Sequence, residues 1–300
     1  MNGAAASAGP PARPLDLTRL AAEHLASRGI EDARLDAELL LAHVLGVRRL
    51  DLYLQFERPL EAAEVAAYRE AVRRRGRREP LQYITGEASF RELALVVDPR
   101  VLIPRPETEV LVGAVLEWAA SRAAPVALDI GTGSGAIALS LLHEGPFKRV
   151  VATDVSEDAL AVARANAERS GLADQLELRA GALWDPVGDA ERFDVIVSNP
   201  PYVAETDRAT LAPEIAEHEP AAALYGGADG LDILRRIVEG AGGRLRGGGL
   251  LAVEVGLGQA AAVAGWLERA PFGSPDIVKD LTGRERVVLA ARDESADRDD

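Results

Sequence analysis

The sequence predicts an α/β fold in which a mostly parallel sheet carries helices on both faces and follows a small helical domain. Two observations support this. From Glu107 onward, short apolar runs alternate with segments of helical spacing, the pattern of βα units in a parallel sheet. Before that point, the apolar residues recur mainly at helical spacing. With 300 residues and 48% hydrophobic content, the chain is long enough to form both parts.

Composition narrows the classes of function. The chain has no cysteine, which excludes disulfides, thiolate metal sites and a cysteine nucleophile. No apolar run approaches the length of about 18 residues that a membrane span needs, and residues 1–14 are predicted to be a disordered extension and not a signal peptide. These features predict a cytoplasmic protein. The residues through Pro106 carry a net charge of +1 and the remainder carries −15, which disfavours nucleic acid as a direct substrate.

Residues 15–80 are predicted to form the helical domain, which contains three helices. The expected helix limits are Asp16 and Gly29, Asp32 and Gly46, and a start near Leu60. The third helix ends in the arginine run 73–78. This run has two interpretations, a solvated helix end that complements the helix dipole or a docking patch for an acidic partner or RNA.

Residues 81–106 are predicted to be a hairpin linker. The stretch 80–86, Ser89–Phe90 and Leu93–Val97 are short runs broken by Gly86 and by charged residues, which is typical of a hairpin. The prolines that follow interrupt regular structure, as linkers do.

Residues 107–292 hold the alternating strands and helices, and residues 293–300 are expected to be a frayed acidic tail. Seven strands are expected: Val126–Ile130, Val150–Thr153, Leu176–Arg179, Val195–Ser198, Leu250–Glu254, Ile277–Val278 and Arg286–Leu289. One helix is expected to follow the glycines of residues 131–135 and to end at Leu142. Three more helices are expected over about Ser156–Arg169, Gly230–Glu239 and Gly258–Arg269.

A glycine-rich loop between the first of these strands and its helix predicts a ligand site. Gly131, Gly133 and Gly135 permit a tight turn against which a ligand can lie near a helix N-terminus. Asp154 lies 19 residues after Gly135, at the end of the second strand, where an acid can accept both ribose hydroxyls of an adenosine ligand. NAD and S-adenosylmethionine fit this pattern equally well. A structural turn and a helix-capping aspartate are the alternatives.

The stretch Ser198–Tyr202 follows a buried strand, and its two prolines cannot continue strand pairing. Asn199 is therefore held extended at the carboxyl end of the sheet. The Asn199 oxygen and the Pro200 carbonyl can each accept one N–H of a planar amide or amine, while Tyr202 covers its face. Two such acceptors would localise the nitrogen lone pair for in-line attack on a methyl group. A sulfonium methyl donor needs no metal, and the four histidines lack metal-ligand spacing.

These motifs together resemble class I, Rossmann-like S-adenosylmethionine-dependent methyltransferases with a seven-stranded sheet. More narrowly, the chain resembles the HemK/PrmC family, which methylates the glutamine side-chain amide in the Gly-Gly-Gln motif of peptide chain release factors. The resemblance covers about residues 15–291. The stretches that carry it are Asp129–Gly135, Asp154, Asn199–Tyr202, Pro80–Gly86, Leu102–Glu109 and Glu219–Pro220 leading to Ala223–Leu224.

The resemblance implies S-adenosyl-L-methionine as cofactor, release factors as protein partners, and a role for each motif. The implied cofactor-binding residues are Gly131, Thr132, Gly133, Ser134, Gly135, Asp154, Trp184 and Asn199, with Trp184 beside the adenine. The implied substrate-binding residues are Asn199, Pro200, Pro201 and Tyr202, and the implied catalytic residues are Asn199, Pro200 and Tyr202. Arg105 and Glu107 are expected to order the linker, and Trp184 has core filling as its alternative role.

Three other functions remain open at the level of sequence. Asn-Pro-Pro-Tyr is shared with enzymes that methylate exocyclic amines of adenine or guanine in nucleic acids. A Rossmann-like core with a glycine loop also serves NAD-dependent oxidoreductases. A catalytically silent adapter is disfavoured because every site residue is present.

Overall fold

The computed structural model describes residues 13–54 and 57–294. Contacts divide the chain into two units. The first ends at Gly86 and also includes Pro213–His218, while the second consists of Glu87–Ala212 and the residues from Glu219 onward. The expectations for residues 1–12 and 295–300, most of the extension and of the acidic tail, lie outside the described residues. Within the described ranges, no helix is long and apolar enough to cross a membrane.

The first unit is a group of helices around one apolar core. Its helices are α1 (Pro14–Ser27), α2 (Ala33–Leu45), α3 (Asp51–Leu54), α4 (Ala62–Arg75), α5 (Leu81–Thr85) and α9 (Pro213–His218). Leu25, Leu40 and Leu41 are fully buried in this core. Tyr68 is also buried, and its hydroxyl donates to the Ala37 carbonyl at 2.9 Å. The buried Tyr68 hydroxyl therefore keeps a hydrogen-bond partner.

Capping residues set the limits of the first two helices, with one difference from the prediction. Asp32 occupies the N-cap position of α2 without a side-chain capping hydrogen bond, and Gly46 ends the helix with a left-handed φ of 63°, as predicted. The prediction for Asp16 was wrong, because α1 begins at Pro14 with Arg13 as its N-cap. The fixed φ of proline suits the first helical position. Asp16 instead lies in the first turn of α1, where its charge complements the helix dipole.

The arginine run 73–78 at the end of α4 is largely paired with acids of its own unit. The pairs are Arg73 with Glu70, Arg74 with Glu79 at 2.5 Å, Arg75 with Asp36 at 2.6 Å and with Glu214 at 3.0 Å, and Arg78 with Glu214 at 2.7 Å. Arg75 is buried, and a buried cation requires such partners. These contacts favour the structural interpretation of the run over an open docking patch.

The second unit begins with a hairpin of β1 (Glu87–Phe90) and β2 (Leu93–Val96). Its other strands are β3 (Val126–Ile130), β4 (Arg149–Asp154), β5 (Leu176–Ala180), β6 (Phe193–Ser198), β7 (Leu245–Glu254), β8 (Asp276–Lys279) and β9 (Glu285–Ala291). Its helices are α6 (Pro106–Ala119), α7 (Ala136–Glu144), α8 (Glu157–Ser170), α10 (Asp232–Ala241) and α11 (Ala260–Leu267).

The seven strands β3–β9 form one mostly parallel sheet, which confirms the predicted fold class. The strand order is β5-β4-β3-β6-β7-β9-β8. Strands β3–β7 are parallel, whereas β9 runs antiparallel to both β7 and β8. The chain leaves β3 toward β4 and β5 on one side and then returns to β6 and β7 on the other. The order reverses between β3 and β6, which is where open α/β sheets bind ligands.

The central strands of this sheet are largely apolar and are buried on both faces, whereas the edge strand β8 is mostly exposed. On one face Ala127 and Val195 pack with residues of α6, α7 and α8. On the other face Leu128 and Ile196 pack with residues of α10 and α11. Neighbouring residues of one strand thus enter opposite cores, and this alternation fixes the register of the sheet.

Two parts of the predicted linker are helical. Leu81–Thr85 forms the short helix α5 between Pro80 and Gly86, and Gly86 ends it with φ of 75°. The hairpin begins only at Glu87. Pro106, expected to interrupt regular structure, instead occupies the first turn of α6. A proline at that position has no N–H that the helix needs.

Candidate active site

A cavity of about 330 Å³ lies at the carboxyl ends of β3, β4 and β6. Ile130, Asp154 and Ser198, the last residues of these strands, all line it. The Ser198 hydroxyl donates to the Ile130 carbonyl at 2.6 Å and so ties β6 to β3 where the strand order reverses. The cavity therefore occupies the position at which sheets of this topology bind ligands.

The glycine loop forms one wall of the cavity. Gly131 and Gly133 line it, both with left-handed φ angles, and a Cβ added to either would meet no atom within 4 Å. A side chain there would occupy ligand space. Gly135 has a different role, because a Cβ at this residue would lie 3.3 Å from the Ala163 Cβ. Its missing side chain lets α7 and α8 pack closely.

Asp154 is held by backbone donors at the mouth of the loop. One carboxylate oxygen accepts the Gly133 N–H and the other accepts the Ser156 N–H, each at 2.9 Å. Burial raises the pKa of Asp154, and these backbone hydrogen bonds counteract the rise. Ser156 in turn caps α8 by accepting the Ala159 N–H. The carboxylate lines the cavity with lone pairs still available for two hydroxyl groups.

Two buried polar side chains, Asp129 and Asn166, form hydrogen bonds that support the glycine loop. Asp129 is fully buried and accepts the Thr132 hydroxyl at 2.7 Å, and burial raises its pKa to about 7. Asn166 of α8 donates to the carbonyls of Ser134 and Val96 and accepts the Val96 N–H at 2.7 Å. Asn166 thereby joins the loop to the hairpin strand β2.

Asn199, Pro200 and Pro201 form the opposite wall of the cavity. The Asn199 side-chain nitrogen donates to the Thr108 hydroxyl, with Nδ2 and Oγ1 2.9 Å apart. Thr108 lies near the start of α6 and is buried. Because this hydrogen bond uses the amide nitrogen, the Asn199 oxygen is left as an acceptor.

Behind Asn199 lies Glu254, the last residue of β7, which is fully buried. One of its oxygens accepts the Thr108 hydroxyl at 2.7 Å and the other accepts the Tyr202 hydroxyl at 3.1 Å. Burial raises the pKa of Glu254 to about 7, and these two donors counteract the rise. Burial also raises the pKa of Tyr202. The Asn-Pro-Pro-Tyr stretch is thus anchored at both ends through a single carboxylate.

Arg105 forms a second anchor close to the cavity. Its guanidinium contacts Glu219 at 2.5 Å, and the Glu219 side chain is only 1% exposed. Burial raises the pKa of Glu219, while the Arg105 charge opposes the rise. Pro220, the next residue, lines the cavity. Glu107 approaches Arg286 at 3.9 Å. These contacts suit the expected ordering role of both residues.

The predicted site residues fall into two groups. Those that line the cavity are Gly131, Gly133, Asp154, Asn199, Pro200 and Pro201. Those that are described by the structure but are not among its lining residues are Thr132, Ser134, Gly135, Trp184 and Tyr202. Thr132, Ser134 and Gly135 shape or support the loop, and Tyr202 reaches Glu254. The four residues of this group other than Trp184 therefore support residues that line the cavity without lining it themselves.

Trp184 is the predicted residue for which the geometry favours the alternative role. Its indole N–H donates to the Arg236 carbonyl at 3.0 Å, and its ring lies against Gly240, where an added Cβ would come within 2.2 Å of the indole nitrogen. Leu183, its neighbour, lines the cavity instead. Trp184 is partly buried and packs against the core beside α10, and its contact with the adenine stays a prediction.

Sequence reasoning missed three residues that hold the site together. Thr108, Asn166 and Glu254 are all buried polar side chains. Thr108 and Glu254 are 146 positions apart, so no local spacing joins them. The sequence does contain one indication of such a residue, because Glu254 ends the apolar strand β7, and a carboxylate is rarely buried at such a position without partners.

Comparisons with known proteins agree with this geometry. The PrmC N-terminal domain matches residues 16–86, and the methyltransferase small domain matches residues 108–228. In its fold, the chain also resembles a Thermus thermophilus 16S rRNA N2 G1207 methyltransferase in complex with AdoMet and guanosine. The TM-score is 0.51 with 20% identity over 69% of this chain and 49% of that one.

Curated relatives cover almost the whole chain. The release factor glutamine methyltransferase of Geobacter sulfurreducens is 48% identical over 91% of this chain and 94% of its own length. The protein of the same name from Cereibacter sphaeroides is 43% identical over 93% of this chain and 98% of its own. With these relatives and both domains matched in order, the chain belongs to the release factor glutamine methyltransferase family.

Proposed function

We propose that this chain transfers a methyl group from S-adenosylmethionine to the side-chain amide nitrogen of the glutamine in the Gly-Gly-Gln motif of release factors. One observation supports this most directly. Asn199 is bonded through its nitrogen to Thr108 at 2.9 Å, so its oxygen is the free acceptor at a cavity that the glycine loop also lines. The names of the relatives supply the substrate class.

The residues of the cavity fit the proposed cofactor. Gly131 and Gly133 leave room that any side chain would fill, and Asp154 offers carboxylate lone pairs that suit ribose hydroxyls. The apolar side chains of Leu102 and Leu183 also line the cavity and suit an adenine ring. When bound, S-adenosylmethionine would supply the methyl group: its S–C bond breaks as the N–C bond forms, S-adenosylhomocysteine leaves, and the nitrogen releases its proton to water.

The chain's own residues have to overcome the weak nucleophilicity of an amide nitrogen, whose lone pair is delocalised. The Asn199 oxygen and the Pro200 carbonyl would accept the two N–H groups of the glutamine amide. Two fixed acceptors orient the nitrogen and favour the geometry in which its lone pair is available for attack. Preorganised groups of this kind typically contribute about 3–4 kcal/mol each. No strong general base is needed, because the amide proton becomes acidic only as the N–C bond forms.

The first unit is proposed to dock the release factor, which is a cytoplasmic protein partner. Three apolar side chains of this unit are more than half exposed, namely Leu20 of α1, Leu50 just before α3 and Leu54 of α3. Exposed leucines are suited to protein contacts. The arginine run contributes less than the sequence suggested, since most of its guanidinium groups bond to acids of the same unit.

The deciding experiment mixes the purified chain, a release factor and S-adenosylmethionine labelled in its methyl group. Label is expected in the tryptic peptide that contains Gly-Gly-Gln, at the glutamine side chain by fragmentation mass spectrometry. A release factor with that glutamine changed to asparagine is the matched control and should stay unlabelled. Label in the control, or none in the natural factor, would contradict the proposal.

A second arm tests nucleic acid, since the Asn-Pro-Pro-Tyr stretch would suit an exocyclic amine as well as an amide. The same mixture with DNA or ribosomal RNA in place of the release factor is expected to give no label. The acidic second part of the chain disfavours binding to a polyanion. Salt-sensitive labelling of RNA or DNA would favour the alternative reaction.

A further inference from the structure

The hydrogen bonds behind Asn199 form a chain in which each group donates to the next, and the last acceptor is the buried carboxylate of Glu254. Asn199 Nδ2 donates to Thr108 Oγ1 at 2.9 Å, and Thr108 Oγ1 donates to Glu254 Oε2 at 2.7 Å. The Tyr202 hydroxyl donates to the other Glu254 oxygen at 3.1 Å. We propose that Glu254 is a positioning residue, which acts through Thr108 to keep the Asn199 oxygen turned toward the substrate amide. This inference rests on the proposed function.

The direction follows from the donors that each group has. A carboxylate has no proton to give, so the single hydroxyl proton of Thr108 goes to Glu254. The Thr108 oxygen then has only lone pairs to offer Asn199, and only the Nδ2 end of the Asn199 amide can meet them. The opposite end of that amide, Oδ1, is thereby aimed away from Thr108. An asparagine amide can adopt two orientations of nearly equal shape, which exchange Oδ1 and Nδ2. This chain of donors selects one of the two orientations.

The proposal also predicts what happens when Glu254 is protonated. A carboxylic acid must itself donate one proton. If it donates to Thr108, the Thr108 hydroxyl loses its acceptor and turns to Asn199, and the amide then presents N–H groups toward the N–H groups of the substrate. The two acceptors proposed for the glutamine nitrogen become one, and turnover falls.

The charged groups around Glu254 place this protonation in an accessible range. From β9, the Arg286 charge lowers the pKa of Glu254, and from α6 the Glu107 charge raises it. Arg286 is shared with Asp280 at 3.0 Å, which weakens its effect on Glu254. Burial is the largest cause and raises the pKa to about 7. A glutamine amide does not titrate in this range. A fall of kcat at low pH, which we call the acid limb, would therefore report the protonation of a group of the enzyme.

The experiment measures kcat and KM for methylation of a release factor from pH 5.5 to 9 with the full chain. The natural enzyme is expected to lose activity as the pH falls through about 7. Thr108→Val, which removes the hydroxyl but keeps the shape, should lower kcat about tenfold or more. Cofactor affinity should change by less than about threefold, because Asp154 and the glycine loop keep their contacts, and KM should change less than kcat, because the Asn199 acceptor is proposed to act mainly in the transition state. Thr108→Ser, which keeps the hydroxyl, should recover most of the loss.

Glu254→Gln gives the second readout. A glutamine side chain does not titrate, so the acid limb should disappear. Its NH₂ group is a donor where the carboxylate has only acceptors, so kcat should also fall. Glu144→Gln is the matched control, because Glu144 is a partly buried glutamate whose partner is Arg91, at 2.6 Å, and not Thr108 or Tyr202. This control should keep the acid limb at its natural position.

Three outcomes would overturn the inference. They are a flat wild-type profile below pH 8, natural kcat in Thr108→Val, and an acid limb that survives in Glu254→Gln. The wild-type profile needs no variant, so it remains decisive if Glu254→Gln does not fold. Each of these results leaves glutamine methylation by the natural enzyme intact, whereas a natural enzyme that does not label Gly-Gly-Gln contradicts the proposed function itself.

Discussion

The two walls of the cavity are built in different ways. We call the first the glycine-loop wall, formed by residues 131–135 and Asp154. Its hydrogen bonds involve backbone N–H groups, since Gly133 and Ser156 donate to Asp154 and the N–H groups of Gly131 and Thr132 donate to the Thr153 carbonyl. Backbone donors therefore supply most of the hydrogen bonds that hold this wall, with Asp129 and Asn166 as its side-chain supports.

The second, the asparagine wall, consists of Asn199 with Thr108, Tyr202 and Glu254 behind it. Here side chains are bonded to side chains, over distances of 2.7–3.1 Å. Removal of one hydroxyl breaks this chain of hydrogen bonds without any change in the backbone. We infer that substitutions in the glycine-loop wall change ligand affinity, whereas substitutions in the asparagine wall change the rate of methyl transfer. The predictions below test that division.

The largest effect is expected for Asn199→Ala, in the asparagine wall. Loss of the oxygen that accepts a substrate N–H should lower kcat by about 10²–10³-fold. Cofactor affinity, measured by calorimetry, should change by less than about tenfold, since one hydrogen bond at most is lost. The unfolding temperature should stay within a few degrees, because Asn199 is only half-buried. A variant that turns over like the natural enzyme would remove the central role of this residue.

Asp154→Asn tests the glycine-loop wall. An amide in place of the carboxylate loses a charged acceptor for the ribose, which should weaken cofactor binding about tenfold to a hundredfold. At saturating cofactor, kcat should remain within about threefold of the natural value. Asp158→Asn, at an exposed aspartate in the first turn of α8, the helix that follows Asp154, is the matched control and should bind normally. A large fall in kcat at saturation would break the division between the walls.

Asn166→Ala should lower stability, because Asn166 links the glycine loop to the hairpin. Its side chain makes three hydrogen bonds to backbone groups and is 1% exposed. Buried groups left without partners cost about 1–3 kcal/mol each, so the free energy of unfolding should fall by at least about 2 kcal/mol in a denaturant titration. Arg164→Ala, at an exposed position of α8, should change it by less than about 0.5 kcal/mol. Equal stabilities would show that the link is dispensable.

Much of the fold was visible in the sequence for a physical reason. Strands of a parallel sheet are buried on both faces, so Val126–Ile130 and Phe193–Ser198 are mostly apolar, with Asp129 and Asp194 as their charged members. The strand ends then place Asp154 and Asn199 at the same edge of the sheet. The part of the site that depends on strand ends was therefore predictable, as was the glycine loop.

The parts that were missed depend on contacts between distant residues or on short elements. Helix α5 has five residues between Pro80 and Gly86, too few for helical spacing to be recognised. Helix α9 follows β6 in sequence but belongs to the first unit, and no local pattern indicates that. Glu254 and Thr108 meet only because α6 and β7 are neighbours in the fold.

The smallest effect is expected for Tyr202→Phe, which leaves the ring and removes one of the two donors to Glu254. Thr108 still directs Asn199, so kcat at pH 8 should fall by only about twofold to fivefold. The Tyr202 hydrogen bond lowers the pKa of Glu254. Its loss should raise that pKa and move the acid limb of the kcat profile to higher pH. Tyr53→Phe removes a similar tyrosine–glutamate bond, to Glu38 at 2.5 Å in the first unit, and should leave the limb in place. A limb that moves to lower pH in Tyr202→Phe would mean that a different group titrates, and the asparagine wall would then need another source for its orientation.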